Sequence, residues 1–181
     1  MQIPTTTQVI QFGNSQAFTN VPAARLEAAQ DHGLDFHSLA AAYAQSLWLP
    51  EVPEDCQEEF ESFTAWYDHV VVPPPVLVEK QLVHPVWNYS GRPDWIGVLR
   101  GHPGLTLLDW KPYGAISPAW RLQVAAYREL ARANGYPVER VGVVQRQKGK
   151  RARFKDLSDT LANDFAVFTC GLTWWRFFNA A

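Results

Sequence analysis

The apolar positions of this chain change rhythm along its length. Up to about residue 70 they recur at helical spacing; from there to Asp109 they gather into short unbroken runs; after Ser117 the two patterns alternate. Leu39, Ala42, Tyr43 and Leu47 mark a helix over Asp35–Trp48, and Gly33 separates it from another over Pro22–Gln30. A turn follows at Pro50–Pro53. Phe60, Phe63, Trp66 and Tyr67 form a buried stripe on a third helix, Asp55–Val70, whose acids crowd the N-terminal part where the helix dipole favours them. Ahead of these helices, the Thr- and Gln-rich stretch to about Asn20 predicts a short strand or a loose arm.

Pro73–Pro75 ends any helix, and strands are expected near Val76–Val83, Asp94–Arg100 and Thr106–Asp109, the last two joined by a turn at Arg100–Pro103–Gly104. Ser117 is an N-cap and Pro118 a first helical residue, with Asn134-Gly135 as the stop. Arg140–Gln145 and Arg151–Phe154 read as strands around a Lys148-Gly149-Lys150 turn. A last helix, capped at Ser158, carries Leu161, Phe165, Phe168, Leu172 and Trp175. The order of elements predicts an α/β fold with a central mixed β-sheet flanked by helices and an N-terminal helical segment. As one domain over 1–181, it divides into a mainly helical part (1–72), the sheet with its core helix (73–157) and the C-terminal helix (158–181).

Composition narrows the picture. A chain of 181 residues, 47% hydrophobic and 19% charged, can bury a core without staples and does not read as disordered. The net charge of −2 exerts no global pull on nucleic acid, so any such binding rests on local patches. Cys56 and Cys170 stand far apart, with no zinc spacing and too few thiols for a four-cysteine iron–sulfur cluster; free thiols in a reducing cytoplasm fit them better than a disulfide. The N-terminus lacks a basic-then-apolar signal and no membrane-length apolar run occurs, which together predict an intracellular, cytoplasmic protein without a membrane partner.

The chemistry concentrates between Gly91 and Tyr127. Asp94 and Asp109 each sit on an apolar, strand-like run, and Lys111 follows the second by two residues, on the same strand face. Two carboxylates and an ammonium are costly to bury without a purpose. Hard divalent cations such as Mg²⁺ and Mn²⁺ take oxygen ligands, so a bound cation that activates water is the economical purpose. On antiparallel neighbouring strands Asp94 and Asp109 would converge, with Lys111 beside them.

Gly91-x-Pro93-Asp94, then Asp109-Trp110-Lys111, then Gln123 and Tyr127 four residues apart on a helix, resemble the PD-(D/E)XK nuclease superfamily in its QxxxY branch, which contains RecB-like and phage-type exonucleases. The segment from Ala28 to Tyr43 is similar to that branch's helical G-x-x-x-H stretch. The resemblance implies a restriction-endonuclease-like core and a Mg²⁺ or Mn²⁺ site of Asp94, Asp109, His37 and the Trp110 carbonyl. It further implies Lys111, Gln123, Tyr127 and Glu79 as catalytic partners, and no iron–sulfur cluster. The implied activity is exonucleolytic processing of linear DNA ends, double- or single-stranded, in recombination or repair. A homo-oligomer or a recombination protein is the implied protein partner, and the cluster-free members point to a phage or prophage source. Two alternatives stay open: a structure-specific or restriction-type endonuclease on the same core, and a non-catalytic DNA-end-binding or scaffold protein.

For the DNA itself, Arg140, Arg146, Lys148, Lys150, Arg151, Arg153 and Lys155 follow one another with no acid among them until Asp156. On a hairpin they would make a basic flap for phosphates, or an edge guarded against pairing. Arg121 and Arg128 offer further phosphate contacts. Trp87, Tyr89, Trp95 and Tyr113 are candidates for base stacking or for packing, and Trp174-Trp175 for core or a subunit contact.

Overall fold

A computed structural model describes residues 2–13 and 23–179, those from 23 to 30 by backbone alone. The chain runs α1 (Thr6–Gly13), α2 (Ala23–Ala44), α3 (Glu54–Val70), β1 (Val71–Val78), β2 (Leu82–Val83), β3 (Ser90–Gly91), β4 (Trp95–Leu99), β5 (His102–Lys111), α4 (Pro118–Ala133), β6 (Val138–Gln145), β7 (Arg153–Asp156) and α5 (Leu161–Phe178). Five strands form one sheet in the order β1-β4-β5-β6-β7, and β2 pairs with β3 in a small ribbon. The β5–β6 pair is parallel and the other neighbours antiparallel, so the sheet is mixed. Helices cover both faces, which is the expected α/β layering. No described helix is long and apolar enough to cross a membrane.

The short unbroken apolar runs follow from burial on both faces. Ile96, Leu107, Val141 and Val143 point toward α1, α4 and α5, where Val124, Leu130, Phe168 and Leu172 complete one core. Their neighbours Trp95, Leu108, Trp110 and Val144 point the other way, into a second core with Phe36, Leu39, Phe60 and Phe63 of α2 and α3. Alternation along each strand thus divides one sequence run between two cores. The aromatic stripe of α3 is buried throughout, with Phe63 at its centre against Phe36, Tyr43, Tyr67 and Trp110.

Several boundaries differ from expectation, each for a local reason. The N-terminal stretch is a helix over Thr6–Gly13 rather than a strand or arm, and residues 14–20 of that stretch lie outside the described residues. Thr5 and Gln8 form reciprocal side-chain bonds at its start (Thr5 N to Gln8 Oε1, 2.8 Å; Gln8 N to Thr5 Oγ1, 3.1 Å), the pattern of a capping box. Helix α2 passes unbroken through Gly33, because one helical glycine costs only about 1 kcal/mol against the packing around it. Pro22 lies outside the described residues, and Leu47 stands beyond the helix, exposed.

Helix α3 ends at Val70, before the prolines, and Pro73–Pro75 belong to β1. That is permitted because β1 is an edge strand, which can leave backbone positions unpaired. The expected Val76–Val83 strand is two pieces, the end of β1 and the separate β2. The β4–β5 hairpin turns at Arg100-Gly101, where Gly101 takes a φ of 76°, while Pro103 and Gly104 lie inside β5. Strand β7 runs over Arg153–Asp156 rather than Arg151–Phe154. Helix α4 begins and ends as expected, with Ser117 Oγ accepting from Ala119 N at 3.2 Å and the stop at Asn134-Gly135. Ser158 does not cap α5: it opens a single 3₁₀ turn and its hydroxyl accepts from Val141 N instead.

Candidate active site

The antiparallel register of β4 and β5 sets Trp95 opposite Leu108, which brings Asp94 and Asp109 together at one end of the sheet. Asp94 is buried and Asp109 wholly so. The amide of Trp110 donates to Asp94 Oδ2 at 2.6 Å, locking that carboxylate across the hairpin. Lys111 emerges on the same face as Asp109, its Nζ 2.5 Å from Asp109 Oδ2. From the facing helix α4, Gln123 Oε1 accepts from Lys111 Nζ at 2.9 Å, and Gln123 Nε2 donates to the Tyr127 hydroxyl at 3.2 Å. Helix periodicity puts Gln123 and Tyr127 on one face, so the helix after β5 hands a relay back to the strand end.

The opposite wall comes from α2 and from the end of β1. His37 Nδ1 lies 3.3 Å from Asp94 Oδ1 and 3.4 Å from Glu79 Oε1. Glu79 has a left-handed φ of 47°, and its amide donates to the Asp94 carbonyl at 3.1 Å. A non-glycine residue held there costs of order 1–3 kcal/mol, a strain that accumulates at functional positions. Arg92 Nε sits 2.8 Å from Glu79 Oε2 at the mouth of the site. Sequence reasoning missed Arg92; its place between Gly91 and Asp94 in the turn entering β4 was the available signal. A side chain at Gly91 would collide with the Tyr127 ring, 2.6 Å from the position of a β-carbon, so a glycine is required where this turn meets α4.

The electrostatics are those of crowded acids with a few cations. Burial pushes the Asp109 carboxyl up to about 6, with the Asp94 charge adding to that rise and Lys111 opposing it. Burial would raise Asp94 as well, but His37, Lys111 and the Trp110 amide hold it below the usual carboxylate range. Burial alone would lower His37; the Asp94 charge and the hydrogen bonds to Asp94 and Glu79 raise it to about 10. Burial, then the Asp109 charge, drives the Tyr127 hydroxyl well above its ordinary value. Among the described residues neither oxygen of Asp109 has a well-aligned hydrogen bond, although Lys111 stands 2.5 Å from Oδ2.

The donor set suits a hard divalent ion. His37, Glu79 and Asp94 offer ligand atoms that all lie within 4.8 Å of one another, and Asp109 adds a carboxylate on the paired strand, its Oδ2 beside Lys111 and its Oδ1 without a partner among the described residues. Three carboxylates and one imidazole match the oxygen-rich preference of Mg²⁺ or Mn²⁺. Trp110 reaches this corner through its main chain, while its ring packs on the other face of the sheet against Phe63, 5.0 Å between centroids.

The positively charged candidates separate. Lys148, Lys150, Arg151 and Arg153 are exposed around the β6–β7 turn. That turn leaves the sheet at the same end as Lys111, which pairs with Gln145, and Arg146 N donates to the Lys111 carbonyl at 3.0 Å. Arg146 itself is buried: its guanidinium lies over the Phe36 ring at 4.2 Å, with Nε 3.1 Å from Glu59 Oε2, so it is a core cation and not a surface contact. Arg140 is paired with Asp156 at 2.5 Å and Arg128 with Glu129 at 2.6 Å. Arg121 makes two hydrogen bonds to Asp164 of α5, at 2.8 and 3.2 Å, which makes it a helix-to-helix tie. Among the aromatic candidates, Tyr89 and Trp95 are fully buried and unable to stack on bases, whereas Trp87 and Tyr113 are exposed. Trp175 joins the core and Trp174 faces outward. Cys56 and Cys170 are free thiols, the first buried and the second exposed.

No protein-family model matches this chain, and no curated protein matches it.

Proposed function

We propose that this protein is a metal-dependent nuclease with a PD-(D/E)XK, restriction-endonuclease-like core, acting on the ends of linear DNA inside the cell. The observation that carries the reading is the convergence of Asp94, Asp109 and Lys111 with Glu79 and His37 in one buried corner, where Lys111 is the close partner of an otherwise unpaired Asp109 carboxylate among the described residues. Asp94, Asp109, Glu79 and His37 would hold Mg²⁺ or Mn²⁺. When bound, such an ion acts as a Lewis acid toward a phosphoryl oxygen and makes water a stronger nucleophile.

The chain's own groups do the rest. Gln123 Oε1 accepts a hydrogen bond from the Lys111 ammonium and so aims Lys111 at the space beside Asp109. There it can orient an attacking water or offset negative charge that builds on the phosphate. Tyr127, buried and bonded to Gln123, keeps that relay in register. Arg92, at the rim, neutralises Glu79 and is placed to meet an incoming phosphate. Lys148, Lys150, Arg151 and Arg153, at the same sheet end, provide a track for the DNA backbone. Arg146, buried against Glu59, takes no part in it, and Arg121 is engaged by Asp164.

The deciding experiment uses end-labelled linear single- and double-stranded DNA with closed circular controls, in Mg²⁺, Mn²⁺ or EDTA. Metal-dependent loss of linear DNA alone, abolished in Lys111→Ala, is the expected result. Cleavage of circles would make the enzyme an endonuclease on the same core. Intact substrates under every condition, with folded protein, would overturn the nuclease reading and leave a DNA-end-binding role.

A further inference from the structure

A second cluster of metal-binding side chains lies between α2 and α3, away from the carboxylate corner. His32 Nδ1 is 3.3 Å from Cys56 Sγ and 3.2 Å from Asp55 Oδ2. These three donor atoms all lie within 4.8 Å of one another. Cys56 is buried while Asp55 is largely exposed, so the trio has a closed floor and an open side toward solvent. Its chemistry differs from that of the first site: a thiol and an imidazole favour Zn²⁺ and similar borderline-soft ions, which Mg²⁺ does not match.

The other nitrogen of His32 carries the independent observation. His32 Nε2 lies 3.2 Å from Glu59 Oε2, and Glu59 is in turn engaged by the buried Arg146, whose Nε is 3.1 Å away. A carboxylate on one ring nitrogen holds the proton there and leaves the lone pair on the other, the arrangement that orients metal-ligating histidines. That nitrogen, Nδ1, faces the Cys56 sulfur and an Asp55 oxygen, where a bound cation would take the place of any proton it shares with them. A tetrahedral zinc with bonds of about 2.3 Å to sulfur and about 2.0–2.1 Å to nitrogen would hold those two atoms about 3.6 Å apart, close to the observed spacing. A dication, the Cys56 thiolate, the Asp55 and Glu59 carboxylates and the Arg146 guanidinium also sum to neutrality, which a partly buried cluster needs.

We infer that His32, Asp55 and Cys56 form a zinc-type metal site with one open coordination position, oriented by Glu59. Binding releases the Cys56 proton to solvent as the metal–sulfur bond forms. The site ties α2 to α3. His37 lies five residues further along α2 than His32, ~7.5 Å along the axis at helical rise. Occupancy therefore stiffens the helix that presents His37 to the carboxylate corner. The inference stands independently of the nuclease reading, because it rests on a sulfur ligand that the first site lacks.

The test is spectroscopic and uses the full chain in a Cys170→Ser background, stripped of metal and titrated with Co²⁺ alone. One equivalent should produce near-ultraviolet sulfur-to-cobalt charge-transfer absorption, which Zn²⁺ then removes by displacement. The band should vanish in Cys56→Ser and His32→Ala, and persist in His37→Ala and Asp94→Asn. Glu59→Gln should weaken Co²⁺ binding by about 10- to 100-fold. If Cys56→Ser does not fold, the exposed substitution Asp55→Asn decides: weakened Co²⁺ affinity in a protein that melts like the parent supports the site, and unchanged affinity overturns it. Absence of the band in the folded parent, or its loss in Asp94→Asn with retention in Cys56→Ser, would also overturn the site.

Discussion

The two clusters that flank α2 are assembled by different means. At the sheet end, Asp94, Asp109 and Lys111 come from neighbouring strands, and hydrogen-bonded register alone sets them side by side. Between α2 and α3, His32 meets Asp55 and Cys56 only because two helices pack at a particular rotation. The first cluster is oxygen-rich, deep and partly unsatisfied; the second combines nitrogen, sulfur and oxygen, and opens to solvent. Strand-borne ligands stay close in sequence and advertise themselves by spacing. Helix-borne ligands contributed across a packed interface do not.

The largest effect expected at the strand-borne site is on activity. Lys111→Ala should lower the rate of DNA cleavage by about a hundred- to ten-thousand-fold, the usual scale for a positioned proton-transfer or charge-stabilising group. Its thermal unfolding should shift far less. A cleavage rate within a factor of a few of the parent would remove Lys111 from the mechanism.

Next in size is the buried cation that joins the two regions. Arg146→Ala leaves Glu59 facing His32 without its guanidinium partner and strips a cation from the Phe36 ring. It should cost about 3 kcal/mol in denaturant unfolding. The exposed set Lys148, Lys150, Arg151 and Arg153, replaced together by Ala, should instead leave stability near parental. That variant should flatten the dependence of DNA affinity on salt by ~0.9 in log–log slope for each phosphate it no longer neutralises. If the two variants exchange these phenotypes, the division of the basic stretch is wrong.

A smaller effect separates the clusters by pH. In metal-free protein the His37–Asp94 pairing raises His37 from 6.5 to about 10, so the folded state holds that proton more tightly than the unfolded chain. The stabilisation is fully present below about pH 6.5 and fades as pH rises toward 10, where folded His37 loses its proton. Thermal melts of the parent across that window should decline more steeply than those of His37→Gln. Parallel curves would show that the pair contributes nothing.

The smallest is a gain. Gly33 lies inside α2 beside His32, and among the described residues a β-carbon there would meet nothing within 4 Å. Gly33→Ala should add about 0.5–1 kcal/mol by removing helical entropy loss. If activity falls while stability rises, α2 needs its glycine to deliver His37 to the carboxylate corner.

Legibility in the sequence followed the range of the interactions. Asp94, Asp109 and Lys111 were readable because a hairpin converts short spacings into neighbourhoods; Gln123 and Tyr127 were reached through the resemblance, and the structure brings all five together. His37 and Glu79 were reached only through a resemblance, and they do meet Asp94. The Thr5–Gln8 box was legible in principle and went unread. Arg146 and Arg121 looked like their exposed neighbours, since charge patterning says nothing about which cation finds a buried acid. Tyr89 and Trp95 take the packing role that the sequence also allowed them, and are fully enclosed.

By itself the sequence determined the alternation of helices and strands, the two-sided burial of the sheet and the strand-borne acids, because those depend on local periodicity and capping. Tertiary structure decided the rest: which way α2 turns its histidines, that α3 delivers Asp55, Cys56 and Glu59 to them, and which arginines are internal. Those outcomes depend on the packing of side chains from segments distant in sequence, where one rotation of a helix changes every neighbour at once and no local pattern records the choice.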